Sequence, residues 1–258
     1  MKQWHAVIVF CALALMAGST RAQSEAWGQA KVASSGIEIS ASDPVSSAFD
    51  RANAALLDSG AALAREGKSE EAIASCFDKA MAAYEAHYKA ESRTVYVARS
   101  QAESMFYLFG AMLAKRDAVV IKSEWPEAYY LKAYALVELK RLPEARESLN
   151  RALALSPMNS QYLSESGQVY SSVREWDAAL AAYKLSEEAA SMGPPDLKDQ
   201  HTARAWRGQG FVYIELNRLD EATTIFEKCL ALNPKDSTAQ NELVYIKSLR
   251  DKQAKQAS

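Results

Sequence analysis

The stretch ARAWRGQGFVYIELNRLDEATTIFEKCLALNPKD, from Ala203 to Asp236, decides the fold of this 258-residue chain. In this stretch, small residues come three or four positions before large ones, which is one turn of a helix. Gly210 comes three positions before Tyr213, and Ala222 comes four positions before Phe226. A small residue lets two helices touch, and the large residue one turn away fills the space beside the contact. The stretch therefore predicts two helices joined by a short turn.

The same cluster occurs twice more upstream with its internal spacing unchanged. One copy lies 43 positions before the cluster at Gly210, and the other lies a further 34 positions back. The copies are Gly167, Tyr170, Ala179 and Tyr183, and Ala133, Leu136, Ala145 and Leu149. A fixed period is typical of proteins that stack one helical hairpin on the next. The nine additional positions fit an insertion between hairpins that includes Ser191–Asp196.

These copies resemble the tetratricopeptide repeat family. The best copy has the family's signature residues in order, which are Trp206, Gly210, Tyr213, Leu219, Ala222, Phe226 and Pro234. At the position where the family prefers leucine, the three copies have Lys132, Ser166 and Gln209. The spacing of the repeat is kept, because a long side chain can lay its apolar stem over the neighbouring helix and a serine simply packs less. The resemblance implies an all-α fold, a right-handed α-solenoid of hairpins, with repeats at about 126–159, 160–193 and 203–236.

The N-terminal helical region, residues 45–125, is less regular. A fourth, weaker repeat is predicted at about 53–86 from the small and apolar positions Gly60, Leu63, Ala72, Cys76 and Ala80. Between Tyr84 and Trp125 two registers remain open. In one register, Phe106, Gly110 and Leu113 match the pattern of the first helix of a repeat. In the other, Ala111 and Ala118 match the pattern of the second helix. We expect long irregular helices in this segment.

The two ends of the chain carry different patterns. Residues 23–44 are rich in Ser, Ala and Gly without a helical period, so we expect a flexible leader. Residues 237–252 place Leu243, Ile246 and Leu249 on one helix face, which predicts the polar-backed capping helix that an open solenoid needs. Cys76 and Cys229 fall at predicted buried positions of different hairpins, and we interpret both as small core residues rather than as a disulfide.

The first 22 residues predict a secretory signal peptide. Lys2 is followed by an apolar run from Ala6 to Gly18, and small residues occupy the −3 and −1 positions of a cut after Ala22. The run is shorter than the roughly 20 residues of a membrane span, although an uncleaved anchor is the alternative. We therefore expect a periplasmic or secreted protein of bacterial origin, without stable membrane insertion after cleavage.

Composition excludes several function classes. The formal net charge is −2 and would become −4 on removal of residues 1–22, which argues against nucleic acid or anionic lipid as the main partner. His87 and His201 lie outside any His-Glu-x-x-His pattern, and the chain has no Cys-x-x-Cys and no Gly-x-Ser-x-Gly. Carboxylate pairs such as Glu70 and Glu71 are typical of a solvated helix surface. We predict no catalytic residue, no metal site and no cofactor.

Recognition of a protein or peptide remains, and the resemblance implies where it occurs. In the family, the first helix of each hairpin lines a concave groove. Carried onto this chain, the inward positions are Glu127, Tyr130, Tyr134, Glu138, Gln161, Ser164, Gln168, Ser172, Arg204, Arg207, Phe211 and Glu215. We expect Tyr130 and Tyr134, one helical turn apart, to form an exposed aromatic strip, with packing against the adjacent hairpin as the alternative. The Lys and Asn clamp with which some members hold a terminal carboxylate is missing from the first clear repeat.

These observations favour an exported interaction module, in the form of an envelope scaffold or assembly factor. The alternative is a periplasmic inhibitor or immunity protein that blocks one exported enzyme. The insertion at Ser191–Asp196 is either a rim loop that touches a partner or a tolerated insertion. The identity of the partner and the oligomeric state are left open.

Overall fold

Antiparallel helical hairpins make up most of the protein. The structure is a computed structural model, and it describes residues 29–33, 36–40 and 44–257. In chain order the helices are α1 (Pro44–Arg65), α2 (Ser69–Ala72), α3 (Asp78–His87), α4 (Gln101–Leu113), α5 (Trp125–Glu138), α6 (Leu142–Leu155), α7 (Ser160–Ser172), α8 (Trp176–Ala190), α9 (Lys198–Glu215), α10 (Leu219–Leu232) and α11 (Ser237–Ala257). A π-helical turn, Ile73–Phe77, joins α2 to α3, and a short 3₁₀ helix, Pro195–Leu197, precedes α9.

The predicted α-solenoid is confirmed, and the small-to-large pairing holds its hairpins together. A β-carbon added at Gly210 would lie 2.6 Å from the Phe226 ring, and one at Gly167 would lie 2.8 Å from the Tyr183 ring. Real β-carbons do not approach other atoms so closely, so each glycine is the residue that lets a ring pack against the helix backbone. The pairs α5/α6, α7/α8 and α9/α10 repeat this arrangement along the solenoid.

The turn inside each hairpin has the same backbone conformation. Lys140, Arg174 and Asn217 have φ angles of 61°, 61° and 57°, in the left-handed region that non-glycine residues rarely adopt. Gly67 has a φ of 77° at the equivalent position of the first hairpin. In all four turns the next amide donates to the carbonyl five residues back, as from Arg141 to Leu136 at 2.8 Å. The segment α1–α3 therefore has the same turn between its helices as the three clear repeats.

A four-stranded sheet interrupts the helices, and sequence analysis did not predict it. The strands are β1 (Gln29–Ala33), β2 (Gly36–Ser40), β3 (Thr94–Val97) and β4 (Ala118–Ile121), in the spatial order β2-β1-β4-β3. Strands β1 and β2 are antiparallel, β1 and β4 are antiparallel, and β3 and β4 are parallel. The helix between the parallel strands is α4, which packs on the sheet through Tyr107, Leu108 and Ala111.

The sheet corrects two expectations. The segment 84–125 is a strand-helix-strand unit rather than part of the repeat series, because Ala118 to Ile121 form a fully buried strand. A four-residue apolar run cannot be distinguished from a buried helix segment by its period. In the expected flexible leader, residues 29–33 and 36–40 form β1 and β2. The predicted signal peptide, residues 1–22, lies outside the described residues, so its cleavage after Ala22 stays a prediction.

The C-terminal helix covers the last hairpin. Helix α11 ends at Ala257, beyond the predicted helix end at residue 252. Ile246 on its inner face packs against α10 and is 1% exposed. Cys76 and Cys229 are buried and free, as expected of core residues. No helix in the described ranges is long and apolar enough to cross a membrane.

Candidate functional site

The first helices of the three clear repeats carry the predicted groove positions, and contacts link these helices in order. Tyr130 of α5 stacks on Tyr162 of α7, with ring centroids 5.0 Å apart. Arg204 of α9 donates a 2.5 Å hydrogen bond to Glu165 of α7. The structure therefore brings α5, α7 and α9 together along one surface, which we call the groove surface.

The N-terminal half of the groove surface is buried, which differs from the exposed aromatic strip that we expected. Tyr130 is 4% exposed and Tyr134 is 6% exposed, while Ser164 is 1% exposed. The reason is the neighbouring repeat: the ring of Tyr162 covers Tyr130, and this burial raises the pKa of Tyr130 to about 12. Sequence analysis missed Tyr162, because it had no means of knowing that the next repeat would cover this side.

Ionisable groups surround the buried tyrosines. Glu127 accepts a 2.9 Å hydrogen bond from the Tyr162 hydroxyl, and burial raises the pKa of Glu127 to about 7, against the opposing effect of that hydrogen bond. The carboxylate of Glu165 is 1% exposed and forms an ion pair with Arg204, whose side chain is 19% exposed. Charged groups in such surroundings need partners, and here each carboxylate has one.

The junction between β3 and α4 lies beside this buried half. The Arg99 guanidinium donates to Glu103 at 2.6 Å, and the Arg99 backbone N–H donates to the same carboxylate at 2.7 Å. Glu103 is fully buried. Burial, together with the positive charge of Arg99, lowers the pKa of His201 to about 4. Arg99 and Glu103 belong to no repeat, so repeat spacing offered no signal for them.

The insertion between the second and third repeats contacts this junction. The hydroxyl of Ser100 donates to the carbonyl oxygen of Met192. A β-carbon added at Gly193 would lie 3.1 Å from the Arg99 guanidinium. The insertion is therefore packed against another part of the same chain.

The C-terminal half of the groove surface is more open. Five of its side chains are exposed or half-buried, and we call them the open half-groove: Gln168, Ser172, Arg207, Phe211 and Glu215. Arg207 donates a 2.8 Å hydrogen bond to Asp236 and keeps its side chain 32% exposed. Phe211 meets Trp176 edge to face at 6.3 Å.

The two remaining predicted positions are half-buried. Glu138 accepts a 2.8 Å hydrogen bond from the Ser69 hydroxyl, which ties the first clear repeat to the hairpin before it. Gln161 lies at the start of α7, where its backbone N–H donates to the capping Asn159 side chain at 3.1 Å. Neither position belongs to the open half-groove.

Known proteins share both the motif and the fold. The sequence model of the tetratricopeptide repeat matches residues 126–159 and 203–236, which are two of the three repeats outlined above. The chain contains tetratricopeptide repeats. Repeats of this kind stack into superhelices that present an extended concave surface, and such surfaces bind proteins and peptides. No curated protein matches the chain.

Solved structures resemble this chain over most of its length. PilF of Pseudomonas aeruginosa superposes with a TM-score of 0.57 at 16% identity, over 80% of this chain and 72% of PilF. MamA of Desulfovibrio magneticus RS-1 superposes with a TM-score of 0.50 at 17% identity, over 77% of this chain and 85% of the MamA chain. At such low identity the likeness shows the fold alone.

The described residues offer little for other chemistry. Within them, no group of three His, Cys, Asp or Glu side chains is arranged to hold a metal ion. The buried carboxylates Glu103 and Glu165 are each committed to an arginine. What the groove surface presents to a ligand is a mixture of amide, hydroxyl, guanidinium, aromatic and carboxylate groups on two adjacent helices.

Proposed function

We propose that this protein is an interaction module that binds a protein or peptide across the open half-groove. The observation that carries the proposal is the contrast within the groove surface. Tyr130 and Tyr134 are buried by packing inside the protein. Arg207 and Phe211, one helical turn apart on α9, remain partly accessible to a ligand.

The chemistry of the open half-groove suits a peptide of mixed character. Phe211 offers an aromatic surface whose position is restricted by Trp176, and rigid aromatic groups contribute binding area at a low cost in conformational entropy. The guanidinium of Arg207 is oriented by Asp236 and has further N–H groups for a carboxylate or carbonyl of the ligand. Gln168 on the facing helix can bond to a peptide backbone.

The proposal includes export to the cell envelope and a role as scaffold or assembly factor, without catalysis or a cofactor. Its support is the apolar run from Ala6 to Gly18 and the small residues before Gln23. Cell fractionation with N-terminal sequencing tests the location. A mature chain that starts at Gln23 in the envelope fraction is expected, and an intact N terminus in the cytoplasm would contradict export.

Crosslinking followed by mass spectrometry in native cells tests the binding site. The test variant carries Gln168→Ala, Phe211→Ala and Glu215→Ala; Arg207 is kept because it pairs with the buried Asp236. The matched control carries three alanines at exposed positions of second helices, Glu147, Asn150 and Lys184. Circular dichroism establishes that both variants are folded.

We expect partners that the wild type and the control recover and the test variant loses. Equal recovery by all three proteins would place binding elsewhere and contradict the proposal. The number of partners also separates the two roles, since a scaffold recovers several at modest affinity and a dedicated inhibitor binds one tightly.

A further inference from the structure

Helix α4 has an apolar side that no other described part of the chain covers. Five large side chains on this side are between 49% and 67% exposed, and we call them the α4 apolar face: Met105, Phe106, Phe109, Met112 and Leu113. The opposite side of α4 packs on the sheet through Tyr107, Leu108 and Ala111. Contiguous exposed patches of this kind are uncommon on monomeric proteins and usually mark an interaction surface.

The α4 apolar face carries no charge. The only Asp, Glu, Lys or Arg within α4 is Glu103, which is fully buried on the other side and paired with Arg99 at 2.6 Å. An identical face could therefore cover it without desolvating a charge and without repulsion between like charges. A partner selected by charge would be expected to find a complementary charge here.

The face is symmetric in its own sequence. Its positions are related in pairs about Phe109, so that 105 corresponds to 113 and 106 corresponds to 112. When two α4 helices pack antiparallel with the two-fold axis at Phe109, each of the five side chains meets an apolar side chain. This is the condition for an isologous contact, in which residue i meets j and j meets i.

We propose that the α4 apolar face is the interface between two copies of this chain, with the two α4 helices antiparallel. The antiparallel arrangement separates the exposed Lys115 and Arg116 of the two copies. Those segments then lie roughly 18 Å apart along the helix axis, whereas a parallel pair would bring them side by side.

The size of the face agrees with a dimer of modest affinity. At the observed exposures, the five side chains offer roughly 600 Å² per copy, which places the pair near the lower limit of stable protein interfaces. The dimer is therefore expected to dissociate on dilution.

Sedimentation velocity of the full chain over a concentration series is the first test. The wild type is expected to pass from monomer to dimer, and Phe109→Glu, which places two carboxylates at the axis, should weaken the dimer at least tenfold. Val244→Glu is the matched control, since Val244 is 71% exposed on α11 and lies outside the face. A wild type that stays monomeric, or equal dimerisation of Phe109→Glu, would overturn the proposal.

Disulfide crosslinking tests the antiparallel geometry. A mixture of Met105→Cys and Leu113→Cys variants should form a linked heterodimer under mild oxidation, because the two positions face each other. Met105→Cys alone should link poorly, since its two copies are about 12 Å apart along the axis and a disulfide needs Cα atoms within about 7 Å. Efficient linkage of Met105→Cys to itself would overturn the arrangement.

A membrane is the competing occupant, and vesicle flotation distinguishes it. The full chain and Phe109→Glu are mixed with vesicles of phosphatidylcholine and phosphatidylglycerol. A monomeric wild type that floats, together with a Phe109→Glu variant that does not, would assign the face to lipid and overturn the dimer. A dimeric wild type that stays in the soluble fraction supports it.

Discussion

At the scale of single residues, glycines of one helix pack directly against an aromatic ring of the next. Gly210 and Phe226 are one example, with 2.6 Å between the ring and the position that a β-carbon would take. The contact is possible only because glycine has no side chain, so the hairpin depends on that residue rather than on helix propensity.

Gly210→Ala is expected to destabilise the protein by about 1–3 kcal/mol, because the Phe226 ring has to leave its place in the core. Gly110→Ala is the matched control at an exposed helix position with open space around it. It should leave stability unchanged or raise it by up to about 1 kcal/mol. Urea unfolding measures both, and a Gly210→Ala variant as stable as the control would show that the ring is not confined.

A second residue-scale prediction concerns Glu242. It is 8% exposed, one of its carboxylate oxygens has no hydrogen-bond partner among the described residues, and burial raises its pKa to about 7. An acid whose folded pKa exceeds its unfolded pKa makes the protein less stable as pH rises between the two values. The window here runs from about 4.5 to 7.

Glu242→Gln should therefore be more stable than the wild type at pH 8, by about 1–3 kcal/mol, and similar to it at pH 4.5. Urea unfolding at several pH values between these limits measures the difference. A constant difference across the whole range would show that the pKa of Glu242 is the same in the folded and the unfolded chain.

At the scale of elements, the ion pair between Glu165 and Arg204 joins the first helices of two successive repeats. The glutamate is 1% exposed, so the loss of its partner leaves a buried charge without compensation. Surface pairs in the same protein, such as Arg218 with Glu221, link positions within one turn and remain about half exposed.

Arg204→Met is expected to destabilise the protein by about 3–5 kcal/mol, and the double change Glu165→Met with Arg204→Met should recover most of that loss. Arg218→Met is the surface control and should cost no more than about 1 kcal/mol. Urea unfolding of the four proteins gives the comparison. If the double variant is as unstable as Arg204→Met alone, packing rather than charge explains the loss.

At the scale of the whole molecule, the solenoid ends at α11, whose Ile246 packs into the core of the last hairpin. An open stack of hairpins needs such a cap because its last apolar face would otherwise contact water. Stability of the C-terminal repeats should therefore depend on a helix that belongs to none of them.

A chain that stops after Asp236 is expected to have a lower urea midpoint than the full chain and to self-associate in sedimentation experiments. A chain that stops after Lys252 is the control, since the six residues from 251 to 256 are exposed. Equal midpoints for the two truncated chains would contradict a capping role for α11.

The repeats could be predicted from sequence because their contacts are local. Gly167 with Tyr183 and Gly210 with Phe226 lie within single hairpins, and their spacing survives in the sequence as a period. The common turn at Lys140, Arg174 and Asn217 follows that period, although none of these residue types indicates a left-handed backbone.

The sheet and the open half-groove were decided only by the tertiary structure. Strands β3 and β4 have four residues each, and β4 pairs with β1, which is far away in the chain, so no local period indicates them. Tyr130 and Phe211 are both groove positions on first helices, yet a neighbouring repeat covers Tyr130 while Phe211 stays accessible. By itself the sequence determined which helices pair, because pairing depends on nearby residues; only the packing of distant segments decided which surfaces stay open.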